Sequence, residues 1–258
     1  MMKLILLFGA LLLSTLAHAE DAVIARLFAE SGVDGTMIIA SPKGEPRFVH
    51  NDSRATQRFS PASTFKILNT LIGLEEGAVA GKEEIFKWNG AHYDNLRSNK
   101  DQTLETAFRV SCVWCYQEIA RRVGAKRYRH YISITHFGEL APDFDVSSFW
   151  LDGSLRVTAE EQVTFLRALY LRQLPFSSRS YDVLKDVMLA EETSAYRLYA
   201  KTGWTGGRRP QVGWYVGYIE KPDGAWIFAM NMEPASEADL PKRQELTKAA
   251  LKAKGIIP

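Results

Sequence analysis

The chain has 258 residues, 46% of them hydrophobic, enough to bury a large core in one domain or two closely joined lobes. Its 32 basic and 30 acidic residues leave a formal charge of +2 without a long block of one sign, which argues against nucleic acid or a membrane surface as a partner. The five histidines show no metal-binding spacing, so no metal is expected.

The chain opens with Lys3, an apolar run from Leu4 to Leu13 and a small-residue site at Ala17-His18-Ala19, which predicts a secretory signal peptide over residues 1–19. The run is too short for a comfortable span, and no later stretch reaches the ~20 apolar residues that a span needs. A soluble, exported mature chain starting at Glu20 is expected, with no membrane anchor once the signal is cleaved. An uncleaved signal acting as an anchor is the alternative.

In chain order, "DAVIARLFAESGVDG" has apolar residues at helical spacing and stops at glycine, and so reads as an amphipathic helix. "TMIIAS" and "RFVH", separated by "PKGEP", read as a hairpin. From Pro61 to Met188 the pattern is mostly helical, as in "LETAFRV", "CYQEIARRVGAKRYRHYI" and "TAEEQVTFLRALYLRQL". "YRLYAKTG", "QVGWYVGYIE" and "AWIFAMNM" then read as strands, the last two joined by a "KPDG" turn, and a final helix is expected from about Leu240 to Lys254. Strands at both ends and helices between them predict an α+β fold: one antiparallel sheet flanked by the terminal helices, with a helical lobe of about residues 61–190 inserted. A cleft between such lobes is a common place for a small-molecule site. Residues 20–258 are expected to form a single catalytic domain.

Cys112 and Cys115 are a C-x-x-C pair. An oxidising compartment permits a disulfide there, but no thioredoxin-like pattern surrounds the pair, and two packed thiols are the plainer expectation.

The stretch "SPASTFKI" carries the first chemical signal. With Ser60 as helix N-cap and Pro61 in the first helical position, Ser63 falls in the first turn and Lys66 one turn later on the same face. A serine hydroxyl needs an adjacent base to act as a nucleophile, and a helix start offers unpaired N–H groups for an oxyanion. Alone, S-x-x-K also describes an ordinary capped helix with a solvent-facing lysine. "SCV" at Ser111–Val113 and "KTG" at Lys201–Gly203 follow it in chain order. The KTG lysine offers a fixed positive charge, Thr202 a hydroxyl, and Gly203 lets a ligand approach the strand edge. Read separately, Ser111 is a helix start and Lys201 a strand end.

S-x-x-K, a second serine motif and K-T-G in this order form the pattern of penicillin-recognising acyltransferases. Within that superfamily, "PASTFK", "SCV", "SFWLDG", "KTGW", "GWYVGYIE" and the terminal "GIIP" resemble class D, or OXA-type, serine β-lactamases, and the resemblance covers essentially the whole mature chain. It implies hydrolysis of β-lactam antibiotics, penicillins and oxacillin-type substrates among them, and a role in antibiotic resistance in the periplasm. Ser63 is implied as the nucleophile that becomes acylated, its own N–H and that of Trp204 as the oxyanion hole, and Ser111 with Lys201 as the proton relay to the lactam nitrogen. Lys201, Thr202, Gly203 and Arg243 are implied as the substrate-binding residues, with arginine suited to a carboxylate.

Lys66 is implied as the general base. An unperturbed lysine, with a pKa of about 10.4, is charged at neutral pH and cannot take a proton. The resemblance implies that Phe65, Val113, Trp150 and Leu151 build an apolar pocket that keeps the amine neutral, so that carbon dioxide or bicarbonate converts it to a carbamate held by the Trp150 indole N–H. No other cofactor is expected. The partner is a small-molecule β-lactam, and the chain a monomer or homodimer. One departure stands out: Phe137-Gly138-Glu139 replaces the family's Tyr-Gly-Asn, setting a carboxylate near the cleft where it could weaken binding of an anionic substrate or perturb Lys66. Arg208 and Arg209, after KTG, either meet acidic substituents or form a solvated turn. The rival functions are a slowly deacylating transpeptidase and a non-catalytic antibiotic sensor.

Overall fold

The computed structural model describes residues 20–258; the signal expected over 1–19 lies outside the described residues. Six antiparallel strands form the central sheet in the order Arg47–His50, Gly35–Ala40, Gly224–Met232, Gly213–Lys221, Arg197–Trp204, Leu189–Glu192. The first hairpin therefore reaches the C-terminal strands through one pairing, with Gly35 opposite Met232 and Ala40 opposite Ile227. The apolar run Met37–Ala40 of the Gly35–Ala40 strand follows from burial on both faces: Met37 and Ile39 point into one hydrophobic layer, Ile38 and Ala40 into the other.

On the first layer lie the terminal helices Ala22–Ser31 and Lys242–Ala253, contributing Ile24, Phe28, Leu246, Ala250 and Leu251. On the second lies the helical lobe, joined to the sheet by the helix Ala159–Tyr170, whose start is capped reciprocally by Thr158 and Glu161. The expected α+β sheet with an inserted helical lobe is what the chain forms. Three local readings change. "CYQEIARRVGAKRYRHYI" is two helices, Val113–Val123 and Ala125–Ile134, parted at Gly124, whose φ of 82° no ordinary residue holds easily. The sixth strand, Leu189–Glu192, has no alternating apolar pattern and forms because it completes the sheet edge against Arg197–Tyr199. Two short ribbons, Ile85–Phe86 with Gln102–Thr103 and Glu139–Leu140 with Leu155–Arg156, sit within the helical lobe.

The helix Lys66–Glu75 is the axis of that lobe. Every residue from Lys66 to Leu74 is buried, so this helix is enclosed on all sides and not amphipathic. Among the described residues no helix is long and apolar enough to cross a membrane.

Candidate active site

The turn that carries Ser63 is built differently from an ordinary capped helix. Ala62–Phe65 is a 3-10 turn that runs directly into Lys66–Glu75, and Pro61 precedes it with no side-chain cap. The expected N-cap role of Ser60 is therefore corrected. Its hydroxyl donates to the Trp150 carbonyl at 2.8 Å, and its carbonyl accepts from Trp214 Nε1 at 2.9 Å. Two tertiary partners have taken the groups that a local cap would have used. The turn is further held by Thr64 Oγ1, which donates to Pro61 O at 2.8 Å and accepts from Gln162 Nε2 at 2.8 Å.

Ser63 Oγ and Lys66 Nζ lie 3.0 Å apart. Lys66 is 0% exposed, and burial alone brings its pKa down to about 7, so neutral and charged forms are both accessible near neutrality. Aromatic side chains neighbour Lys66 both in the chain and in the fold. The Tyr116 ring lies 5.0 Å from Nζ, and Phe65, next in sequence, stacks on the Trp150 indole at 5.8 Å. Trp150 is fully buried, yet its Nε1–H has no hydrogen-bond partner. An orphan donor in such a setting costs about 1–3 kcal/mol, which points to an acceptor that completes the site. Val113 and Leu151 are half-buried; Leu151 packs against the same core and Val113 borders the cleft.

The KTG strand closes the other wall. Lys201 Nζ donates to Ser111 Oγ and, at 3.1 Å, to Thr202 O. Ser111 holds φ at +57°, left-handed and uncommon for a serine, in the turn between the helices Leu104–Arg109 and Val113–Val123. Burial first, then the positive charges of Lys66, Arg243 and Arg97, hold the Lys201 ammonium well below the usual lysine range. Against the fixed positive charge expected from "KTG", these surroundings disfavour the protonated form.

Strand pairing fixes where the backbone donors point. Thr205 N–H bonds to Val212 O, so with Trp204 opposite Gly213 the alternation of an antiparallel ladder turns the Trp204 N–H to the strand's free side. The Ser63 N–H, at the start of its turn, has no backbone acceptor among the described residues. Gly203 serves a purpose that the sequence did not indicate. A Cβ there would lie 2.9 Å from Pro61 O and 3.0 Å from Thr64 Cγ2, so its missing side chain lets the strand dock onto the nucleophile turn. Arg243 Nη1 donates to Gly203 O at 2.8 Å while its buried Nε has no partner; burial lowers its pKa to about 10, still charged at neutrality.

These residues border a cleft of about 830 Å³ lined by Ser63, Ser111, Val113, Thr202, Trp204 and Arg243. Asn95, Leu96, Arg97, Glu237 and Leu240 also line it; sequence reasoning missed the first four because their segments carry no periodic pattern, and Leu240 because it read only as a helix start. Tyr116 was missed too, although its i, i+3 spacing from Val113 sets it one turn further along the same helix. The concern over Glu139 is corrected: it is 70% exposed and pairs with Arg58 at 3.2 Å, and no carboxylate contributes to the shift of Lys66. Phe137, by contrast, is buried against Phe65 and Phe165. The expectation of two packed thiols is also corrected, since Cys112 and Cys115 are joined by a disulfide. Their places in the first helical turn bring the two sulfurs together. Among the described residues no cluster of His, Cys, Asp or Glu could hold a metal ion.

Sheet, inserted lobe and serine–lysine cleft define a serine acyl-transfer protein of the penicillin-binding kind, and residues 35–252 match the family model for the penicillin binding protein transpeptidase domain. β-Lactamase OXA-48 of Klebsiella pneumoniae is 41% identical over 231 residues, covering 90% of this chain and 87% of that protein. β-Lactamase OXA-20 of Pseudomonas aeruginosa is 37% identical over 263 residues, covering 99% and 97%. The crystal structure of FUS-1 (OXA-85), a class D β-lactamase from Fusobacterium nucleatum, superposes with a TM-score of 0.89 at 34% identity, over 93% of this chain and 100% of that one. The chain belongs to the class D, OXA-type, serine β-lactamases, hydrolases of the β-lactam amide bond.

Proposed function

We propose that the protein hydrolyses penicillins, oxacillin-type penicillins among them, through an acyl-enzyme on Ser63 with an N-carboxylated Lys66 as base, and that it confers β-lactam resistance from the periplasm. The observation that carries the mechanism is the fully buried Lys66 amine, 3.0 Å from Ser63 Oγ, in a lobe where the buried Trp150 Nε1–H lacks an acceptor. A neutral amine is the form that reacts with carbon dioxide, and burial supplies it at neutral pH. The residues fit the added group: Trp150 offers it a hydrogen bond, and Phe65, Val113 and Leu151 shield it from water. When carried, the carboxyl group would supply an anionic oxygen base in place of the amine.

The rest follows from the chain's own residues. Ser63 gives up its hydroxyl proton on the Lys66 side, where Nζ lies 3.0 Å away, as its Oγ bonds to the lactam carbonyl carbon, while the N–H groups of Ser63 and Trp204 hold the oxygen that becomes negative; one such donor is typically worth ~100–1,000-fold in rate. The carbon–nitrogen bond breaks, and Ser111, fed by Lys201, delivers a proton to the released nitrogen. Arg243 and Thr202 hold the substrate carboxylate throughout, and water then cleaves the ester to restore Ser63.

Steady-state turnover of benzylpenicillin, oxacillin, a cephalosporin and a carbapenem, with and without bicarbonate, tests this reading. Sustained hydrolysis that bicarbonate enhances is the expected result. A stoichiometric burst with no further turnover would instead identify a penicillin-binding sensor or transpeptidase. Lys66→Ala should leave a lasting penicilloyl adduct on Ser63 by mass spectrometry, and rapid clearance of that adduct would require another base.

A further inference from the structure

The disulfide sits inside the second catalytic motif, with Cys112 next to Ser111 and Val113 enclosed between the two bridged residues. Both sulfur-bearing residues are fully buried. Cys112 is also the N-cap of the helix Val113–Val123, and its Sγ accepts from the Cys115 N–H at 3.2 Å. A helix start is ordinarily held by a hydroxyl or carboxylate bonded to the N2 or N3 amide. Here the cap residue is covalently tied to the residue that it caps.

Ser111 depends on that start. It occupies the left-handed region, which an L-residue keeps only when its surroundings impose it. On its N-terminal side the chain is tied by Ser111 N–H to Phe108 O at 3.2 Å and by Asn95 Nδ2 to Val110 O at 2.6 Å. On its C-terminal side the Cys112 N–H bonds to Ala107 O at 2.8 Å, and beyond it the bridge joins Cys112 to the helix. The Ser111 hydroxyl is aimed at Lys201 from a turn clamped at both ends.

We propose that the Cys112–Cys115 disulfide is a positioning device for Ser111, setting its hydroxyl for proton delivery during acylation, an inference that rests on the reaction proposed above. Closing the bridge takes two electrons and two protons from the two thiols and passes them to a disulfide oxidant of the exporting compartment, which leaves as two thiols. The relay is therefore fully set only in a chain that has met such an oxidant. Lys66 and Trp150 lie on other elements, but Tyr116 of the bridged helix faces the Lys66 amine, so the bridge acts chiefly on acylation, the step that uses Ser111 directly, and to a smaller extent on deacylation.

The test compares wild type with Cys112→Ser/Cys115→Ser, which keeps a hydroxyl for the cap, and with Cys112→Ala/Cys115→Ala, which does not. Thiol counting on the native protein should find none free. Stopped-flow acylation by benzylpenicillin should slow about tenfold in both variants, within the range that mispositioning a reacting group costs, with a loss in deacylation of about threefold or less. Hydrogen exchange across residues 108–116 should quicken in both, and this readout needs no substrate. Two free thiols in the native protein, unchanged acylation, equal losses in both steps, or unaltered exchange would each overturn the proposal. Failure of wild type to be acylated would refute the proposed function instead, while thiol count and exchange still decide whether the bridge holds the turn.

Discussion

Replacing Lys66 with methionine should make the protein more stable while abolishing its turnover. Methionine keeps the unbranched apolar stem of the buried side chain, one atom shorter, and removes the amine. Burial brings the Lys66 pKa from 10.5 to about 7, and each pKa unit corresponds to about 1.4 kcal/mol. Keeping this group in the fold therefore costs roughly 4 kcal/mol at pH 7 and roughly 5 kcal/mol well below it. The variant loses the bond between Nζ and Ser63, worth about 1 kcal/mol, so Lys66→Met should gain roughly 3 kcal/mol at pH 7. The pH dependence follows from the direction of the shift. Between about pH 7 and 10.5 the unfolded chain holds a proton that the folded protein has released, so wild-type stability rises with pH across that window and the variant's advantage shrinks toward its upper end. Urea denaturation in bicarbonate-free buffer at about pH 6.5, 8 and 9.5 measures the gap. Adding bicarbonate should then stabilise wild type and leave the variant unchanged, as expected for a group bound only by the folded state. A variant no more stable than wild type at about pH 6.5, or a gap that does not narrow with pH, would refute the argument.

Trp150→Phe removes the orphan indole N–H, and a hydrogen bond to an anionic acceptor is worth about 1.5–3 kcal/mol. The bicarbonate concentration for half-maximal activity should rise about 10- to 100-fold, with a matching loss of the carbamate signal in carbon NMR of enzyme equilibrated with labelled bicarbonate; an unchanged requirement would remove Trp150 from that role. Arg243→Ala should raise KM for penicillins about 10- to 100-fold with little change in kcat, the pattern of lost uniform binding, as read in initial-rate kinetics. Gly203→Ala places a methyl group 2.9 Å from Pro61 O, and should lower stability by about 1–3 kcal/mol and reduce Ser63 acylation, measured by melting and by labelling with a fluorescent penicillin. Retention of wild-type melting and labelling would show that the nucleophile turn yields without cost.

The sequence by itself determined the order of motifs, the class D resemblance and most of the regular elements. Helix spacing, strand alternation and short motifs are local properties, carried by residues within a few positions of one another. It showed that Ser63 and Lys66 share a helical face, and that a KTG strand and a terminal helix carry Lys201 and Arg243. It left open whether Lys66 faces solvent, because burial depends on the whole helix being enclosed by elements distant in the chain. For the same reason Ser60 read as a cap when two tryptophans claim its polar groups, and Glu139 read as a threat to the cleft when Arg58 draws it outward. Gly203 looked like room for a ligand, and only the docking of strand on turn revealed what its missing side chain accommodates. The tertiary structure decided the electrostatics above all. A pKa depends on how much water and charge surround a group in three dimensions, and the ring that faces the Lys66 amine belongs to Tyr116, about 50 positions away in the chain.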